Sequence, residues 1–208
     1  MKRSPLYVIG RLLLIPIFKL LFFYKINGRE NIPKEGAYII CSNHLSNCDP
    51  VLLGVIQKRQ IYYMAKVELF KNPVMGWLYR HLGAFPVTRG AGDGKAINEA
   101  ENVVAEGKLL GIFIEGTRSK TGEFLRPKSG ASIVAHQMQV PVIPVCITPK
   151  NKKIKAFQKV IVSVGKPLTT EDLGLAGEAG GEAYRAASKK IMGEIQKLRE
   201  KDLAAMKK

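Results

Sequence analysis

The stretch Ser42-Asn43-His44-Leu45-Ser46-Asn47-Cys48-Asp49-Pro50 sets one of the chain's three histidines five residues ahead of a carboxylate. A carboxylate bonded to one imidazole nitrogen fixes the tautomer and leaves the other nitrogen free to take a proton from a hydroxyl. That is half of a hydrolytic triad, without its serine. A helix cannot join the two side chains, because five residues of helix leave them about 140° apart. Pro50 agrees, since it disfavours the α region for Asp49 and suits the first position of a new helix. With Ser46 and Asn47 as turn formers, the segment reads as a strand over 37–41, a loop that folds back, and a helix from Pro50. The buried stripe of that helix is Val51, Leu52, Val55 and Ile56. A plainer assignment also fits, with Asp49 a helix cap and His44 a satisfied buried imidazole.

Two guanidiniums follow strands in the same way. Leu109 to Ile114 is the most continuously apolar strand and is expected at the centre of a sheet, with Glu115-Gly116-Thr117-Arg118 at its end. Gly83 to Val87 is a short strand that delivers Arg89. Open α/β sheets bind ligands at the carboxyl ends of their strands, so His44, Arg89 and Arg118 are expected on one rim. Both arginines can make forked contacts to a phosphate. Glu115 can hold those guanidiniums or bind an acceptor hydroxyl. The glycine-rich run 90–94 can cradle a phosphate or serve as a plain loop, but Lys95 stands where a dinucleotide fingerprint needs glycine. Gly122 to Ser129 nearly spells a Walker A loop, yet Pro127 replaces the required glycine and has no amide hydrogen to offer, which excludes nucleotide hydrolysis there.

Four blocks in order resemble the glycerolipid acyltransferases typified by the lysophosphatidate acyltransferases. The first, Asn-His-x4-Asp-Pro, stands as Asn43-His44 through Asp49-Pro50. The others are Gly83-Ala84-Phe85-Pro86-Val87-Thr88-Arg89, Phe113-Ile114-Glu115-Gly116-Thr117-Arg118-Ser119 and Val140-Pro141-Val142-Ile143-Pro144-Val145. The family usually has proline at the position of Ile114, a change that removes no polar group. The resemblance covers about residues 26 to 165. It implies acyl transfer from a thioester, either acyl-carrier protein or coenzyme A, to the free hydroxyl of lysophosphatidate, with no cofactor and no metal. His44 is then the base and Asp49 its orienting group; Arg89, Arg118 and Lys66 form the phosphate set; Asn43, Glu115, Gly116 and Thr117 position the acceptor and its loop. Lys66 enters through Ala65-Lys66-x-Glu68-Leu69-Phe70, similar to a pattern between the family's first two blocks, although a solvated lysine at a strand end fits as well.

The elements that must hold these residues follow from length and pattern. With 208 residues, 46% of them hydrophobic, one core and one domain are expected. Lys plus Arg total 33 against 17 acidic residues, a net charge of +16 that calls for an anionic partner. No recognition helix or stacking motif points to nucleic acid. Three cysteines without CxxC spacing indicate reduced thiols and no zinc site. Residues 5–24 are strongly apolar; Arg3, Arg11, Lys19 and Lys25 fall within an arc of about 160°, so residues 1–25 are expected to form an amphipathic helix with its basic side toward lipid head groups. Residues 26–208 then form an acyltransferase domain of the α/β class, a mixed and mostly parallel sheet flanked by helices. Its expected place is the cytoplasmic face of the cell membrane, peripheral or monotopic, on anionic phospholipid. His81, near a helix end, reads as structural; His136 lies on a helix with no assignable partner. Competing readings are an acyltransferase for another lysolipid or glycerol 3-phosphate, a hydrolase using Cys48 or Cys41 with His44, and a basic membrane-binding protein without activity.

Overall fold

Strands made almost wholly of apolar residues must be covered on both faces, and this requirement organises the molecule. The computed structural model describes residues 4–87 and 94–207. Its strands are β1 (Lys25–Asn27), β2 (Tyr38–Ser42), β3 (Ile61–Lys66), β4 (Ala84–Val87), β5 (Leu109–Phe113), β6 (Val142–Pro149) and β7 (Val160–Val164). They form one sheet in the order β1-β7-β6-β2-β5-β3-β4. Only β6 and β7 pair antiparallel; every other pairing is parallel. This is the mixed, mostly parallel α/β sheet expected, with one adjustment: β2 holds the middle place and β5 lies beside it.

Alternate residues of each strand feed two cores. Ile39 and Cys41 of β2 face a layer built from α4 (Gly94–Ala105), α5 (Gly130–Met138) and α6 (Gly181–Lys207). Ile40 faces the opposite layer, built from α1 (Pro5–Phe22) and α2 (Asp49–Ile56). α3 (Pro73–His81) lies on this second side, where the Leu82 side chain that follows it abuts Gly10 of α1. Ile39, Ile40, Leu52, Leu109, Ile143 and Ile161 are all at most 1% exposed. Each such side chain contributes about 1.5–3 kcal/mol through burial.

Helix α1 departs from the amphipathic expectation. It is apolar on both sides; of its polar side chains Tyr7 and Arg11 face inward and Lys19 is exposed. Tyr7 Oη donates to the carbonyls of Gly54 and Arg59 at 3.2 and 3.1 Å. Arg11 donates from Nε to Gln57 O at 2.6 Å and from its guanidinium to Val55 O at 3.2 Å. Those carbonyls close the carboxyl end of α2, where a cation satisfies orphan acceptors and opposes the helix dipole. Arg11 therefore faces the protein, contrary to its expected place among head groups, while Ile9, Leu12, Leu13, Ile17 and Leu20 are exposed. Arg3 lies outside the described residues.

Because β2 to β6 run parallel, their carboxyl ends share one rim. The β2–α2 loop, the end of β3, the β5–α5 loop and the β6–β7 hairpin all meet there.

Candidate active site

The His44 loop starts one residue beyond β2 and is fixed from below by Asn43. The Asn43 side chain donates to Ile147 O at 3.0 Å and accepts from Ile147 N at 2.8 Å. The amide thus copies a strand residue and extends the β2–β6 ladder one step into the loop. At 1% exposure it positions the loop and meets no solvent.

Asp49 is the first residue of α2, one earlier than expected, and its carboxylate turns back over the loop. Its Oδ2 lies 2.7 Å from His44 Nδ1 and also accepts from the amides of Leu45 at 2.6 Å and Ser46 at 2.8 Å. An oxygen already receiving two N–H donors serves as acceptor, so the ring proton sits on Nδ1 and Nε2 keeps its lone pair. Asp49 is fully buried, whereas the His44 side chain is 16% exposed. The two bonds from backbone amides hold the carboxylate in place whatever the imidazole does. The ring plane is set separately: Phe113, the last residue of β5, stacks on it at 3.9 Å and 14°.

Both backbone groups of His44 are held by the β5–α5 loop. Its amide donates to Glu115 Oε1 at 3.0 Å, and its carbonyl accepts from Ser119 N at 2.8 Å. Glu115 Oε2 accepts from Leu125 N at 2.8 Å. Of the two roles open to Glu115 from sequence, gripping guanidiniums or an acceptor hydroxyl, neither is what its oxygens do. With 2% exposure and an amide on each oxygen, it is a clamp between loops. Burial raises its pKa above the usual carboxylate range, with the two amides pulling the other way. Gly116 follows at φ +68°, a left-handed conformation that glycine adopts without strain, and this turns the chain outward toward Thr117 and Arg118.

Beside the imidazole loop opens a cleft of about 410 Å³, lined by Leu45, Ser46, Thr117 and Arg118 together with Lys120 and Lys153. Three cations in one cleft suit a phosphate group. Lys153 arrives from the β6–β7 hairpin, which is tied across the rim where Lys152 Nζ donates to Glu123 Oε1 at 2.6 Å. Sequence reading missed Lys153, Lys120 and the stacking role of Phe113. The basic run 152–155 was the available signal for Lys153, but only the hairpin pairing of β6 and β7 brings it to the cleft.

The remaining candidates separate. Lys66 ends β3 on the same rim with its side chain exposed, but it does not line the cleft. Arg89 and the glycine-rich residues 90–93 lie outside the described residues. Cys41 is fully buried against α4 and α5, and burial pushes its thiol well above the ordinary range, an environment that suppresses the thiolate. His136 does have partners: Nδ1 bonds Tyr184 Oη at 2.9 Å and Nε2 bonds Gly177 O at 2.8 Å, which makes it a brace between α5 and α6. His81 bonds the carbonyl of Trp77 at 2.8 Å within α3, as its structural reading requires.

With this geometry in hand, the similarity to known proteins is specific. The profile of the family described as Acyltransferase matches residues 24–148. The chain is 33% identical over 151 residues to the 1-acyl-sn-glycerol-3-phosphate acyltransferase of Bacillus subtilis (strain 168), spanning 71% of this chain and 75% of that protein. It is 30% identical over 191 residues to the protein of the same name from Streptococcus pneumoniae, spanning 86% and 70%. The crystal structure of the 1-acyl-sn-glycerophosphate (LPA) acyltransferase PlsC from Thermotoga maritima superimposes with a TM-score of 0.70 at 26% identity, covering 93% of this chain and 81% of that one.

Proposed function

The chain belongs to the acyltransferase family, and from that membership we propose that it transfers a fatty acyl group from an acyl thioester to the free hydroxyl of 1-acyl-glycerol-3-phosphate, forming phosphatidic acid. The observation that carries this reading is the 2.7 Å bond between His44 Nδ1 and a buried Asp49 carboxylate, beside a cleft lined by three cations.

In the proposed reaction His44 Nε2 takes the proton of the acceptor hydroxyl as its oxygen attacks the thioester carbonyl. The tetrahedral adduct then collapses, the carbon–sulfur bond breaks, and the imidazolium returns the proton to the departing thiolate. Asp49 stabilises the charged imidazole between these steps and keeps the ring in the productive tautomer. A thioester is an activated donor, so the chemistry proceeds without a protein nucleophile. General base catalysis supplies about 10²- to 10⁴-fold, and alignment of the two substrates supplies much of the rest. Arg118, Lys120 and Lys153 hold the acceptor's phosphate; Lys66, on the same rim outside the cleft, and Arg89, outside the described residues, are assigned to the phosphate set by the family resemblance alone.

The donor is an acyl-carrier protein or coenzyme A thioester, and the site of action is the cytoplasmic face of an anionic phospholipid membrane. The exposed apolar side of α1 and the net charge of +16 support the membrane assignment. Among the described residues α1 is the one helix whose length and composition would let it cross a bilayer. It is bonded to the domain from Tyr7 near its start to Leu21 near its end, which favours a helix lying in one leaflet.

The test is an assay of the purified protein in detergent with labelled donors of both kinds and a panel of lysolipids and glycerol 3-phosphate. Acyl transfer to lysophosphatidate that falls by about 10²- to 10⁴-fold in His44→Ala supports the proposal. Release of free fatty acid alone, abolished in Cys48→Ala, would replace it with a thioester hydrolase.

A further inference from the structure

Large apolar side chains exposed to water are distributed on this molecule in a way its fold does not require. Twelve such side chains occur among the described residues, and none of them belongs to α4, α5 or α6. Six are on α1 or at its end. Two more, Val67 and Leu69, lie on the 3-10 turn Val67–Phe70 that follows β3. Three, Val74, Met75 and Trp77, lie on α3, which buries only Gly76. The last is Phe157, in the β6–β7 hairpin.

The elements that carry these four groups are tied to one another. The start of α1 is tied to the end of α3 through Gln60, which accepts from Ser4 N at 3.2 Å and donates to His81 O at 2.9 Å. The end of α1 is tied to the hairpin, where Phe157 N donates to Leu21 O at 2.5 Å. Large apolar side chains grouped on neighbouring elements, and not scattered singly, mark an interaction surface. Its border is cationic: Lys19, Lys25, Lys66, Lys71 and Arg80 are exposed around it, with Glu68 the one acidic residue in the stretch 66–82. An apolar area rimmed by cations is complementary to an anionic bilayer, with apolar groups among acyl chains and ammonium groups among phosphates.

We propose that the bilayer contact extends well beyond α1, and that the segment Val67–His81 together with the tip of the β6–β7 hairpin docks into the same leaflet. This rests on the membrane assignment above and deepens it. The surface reaches the catalytic rim at two points. The 3-10 turn begins where β3 ends, and the hairpin that carries Phe157 also carries Lys153 into the cleft. A lysolipid in the leaflet therefore meets the cleft edge without first leaving for water.

The chain provides its own reporter, because Trp77 is its only tryptophan and is 55% exposed. The full-length protein is mixed with vesicles of phosphatidylcholine and phosphatidylglycerol while Trp77 emission is recorded. A blue shift, with quenching by lipids brominated on their acyl chains, is expected. Val74→Glu and Leu69→Glu, checked for unchanged melting, are expected to lower vesicle partition by roughly tenfold or more. They are expected to leave transfer to detergent-dispersed lysophosphatidate unaltered. Co-sedimentation with no change in Trp77 emission would overturn the proposal, since α1 alone would then be docking. So would Trp77 already shielded in a vesicle-free dimer, with a second copy of the chain covering α3, or full partition of both glutamate variants. Absence of acyl transfer in every format would instead remove the enzymatic reading and leave the Trp77 result standing.

Discussion

At Asp49 one oxygen does all the bonding: Oδ2 receives the imidazole and two amides, while Oδ1 is buried with no protein partner among the described residues. Asp49→Asn preserves the shape but removes the charge that balances an imidazolium, and one amide orientation would set NH2 against two N–H donors. Activity is expected to drop by at least about 10²-fold with the fold retained, measured as kcat together with a thermal melt. Glu115 makes a different prediction. Glu115→Gln leaves one of the amides of His44 and Leu125 facing a donor, so a stability loss of about 1–3 kcal/mol is expected by denaturant titration. The loss depends on pH in a defined direction. Burial raises the Glu115 pKa above the roughly 4.3 of an unfolded glutamate, so the folded state holds the proton more tightly. The resulting stability is complete below that unfolded value and disappears as pH rises through the folded one. The deficit of Glu115→Gln is therefore expected to be larger at acid pH and to shrink toward neutrality; a deficit that grows with pH would show that the carboxylate form is the one the loops prefer.

Among the elements, β5 orients the imidazole through a relay of rings. Tyr63 of β3 lies across Gly111 of β5 and stacks with Phe113 at 5.7 Å, and Phe113 in turn stacks on His44. A Cβ on Gly111 would come within 2.2 Å of the Tyr63 ring. Gly111→Ala is thus expected to cost about 1–3 kcal/mol and to lower kcat more than it alters KM, read by melting and steady-state kinetics. None of this relay was visible in sequence. Elements defined by local signals were: β4 runs from Ala84 to Val87 and β5 from Leu109 to Phe113, each within one residue of its expected bounds, and α2 starts one residue before Pro50. Strand ends set by distant partners were less legible. β2 runs to Ser42, past the expected Cys41, because Ser42 pairs with Phe113 and Val145. The pairing of His44 with Asp49 could be read because five residues and a proline dictate a loop. The grip of Glu115 and the arrival of Lys153 could not, since they depend on which loops the sheet order makes neighbours. Arg11 was misplaced for a related reason: a helical wheel sorts charges by angle but does not say which side the protein occupies.

For the molecule as a whole, the sheet divides two surfaces of opposite character. Among the described residues α4, α5 and α6 carry no large exposed apolar side chain, whereas α1, with Phe23 at its end, and α3 carry nine of the twelve. Membership of α1 in the folded body is testable through Arg11. Arg11→Met removes a guanidinium from two carbonyls and is expected to cost about 1–3 kcal/mol in a thermal melt, while Lys19→Met, at an exposed position, is expected to be near neutral. Equal effects of the two would mean that Arg11 does not cap α2.

That cap has a practical consequence. α2 is a rod of eight residues with Asp49 at its head and its tail fastened to α1 by Arg11. Any solubilising agent that peels α1 off the domain releases the tail, and the slackness travels one short rod to the carboxylate. The choice of surfactant then becomes a catalytic variable: preparations in harsh micelles should turn over slowly with an intact imidazole, and regain speed on exchange into bicelles.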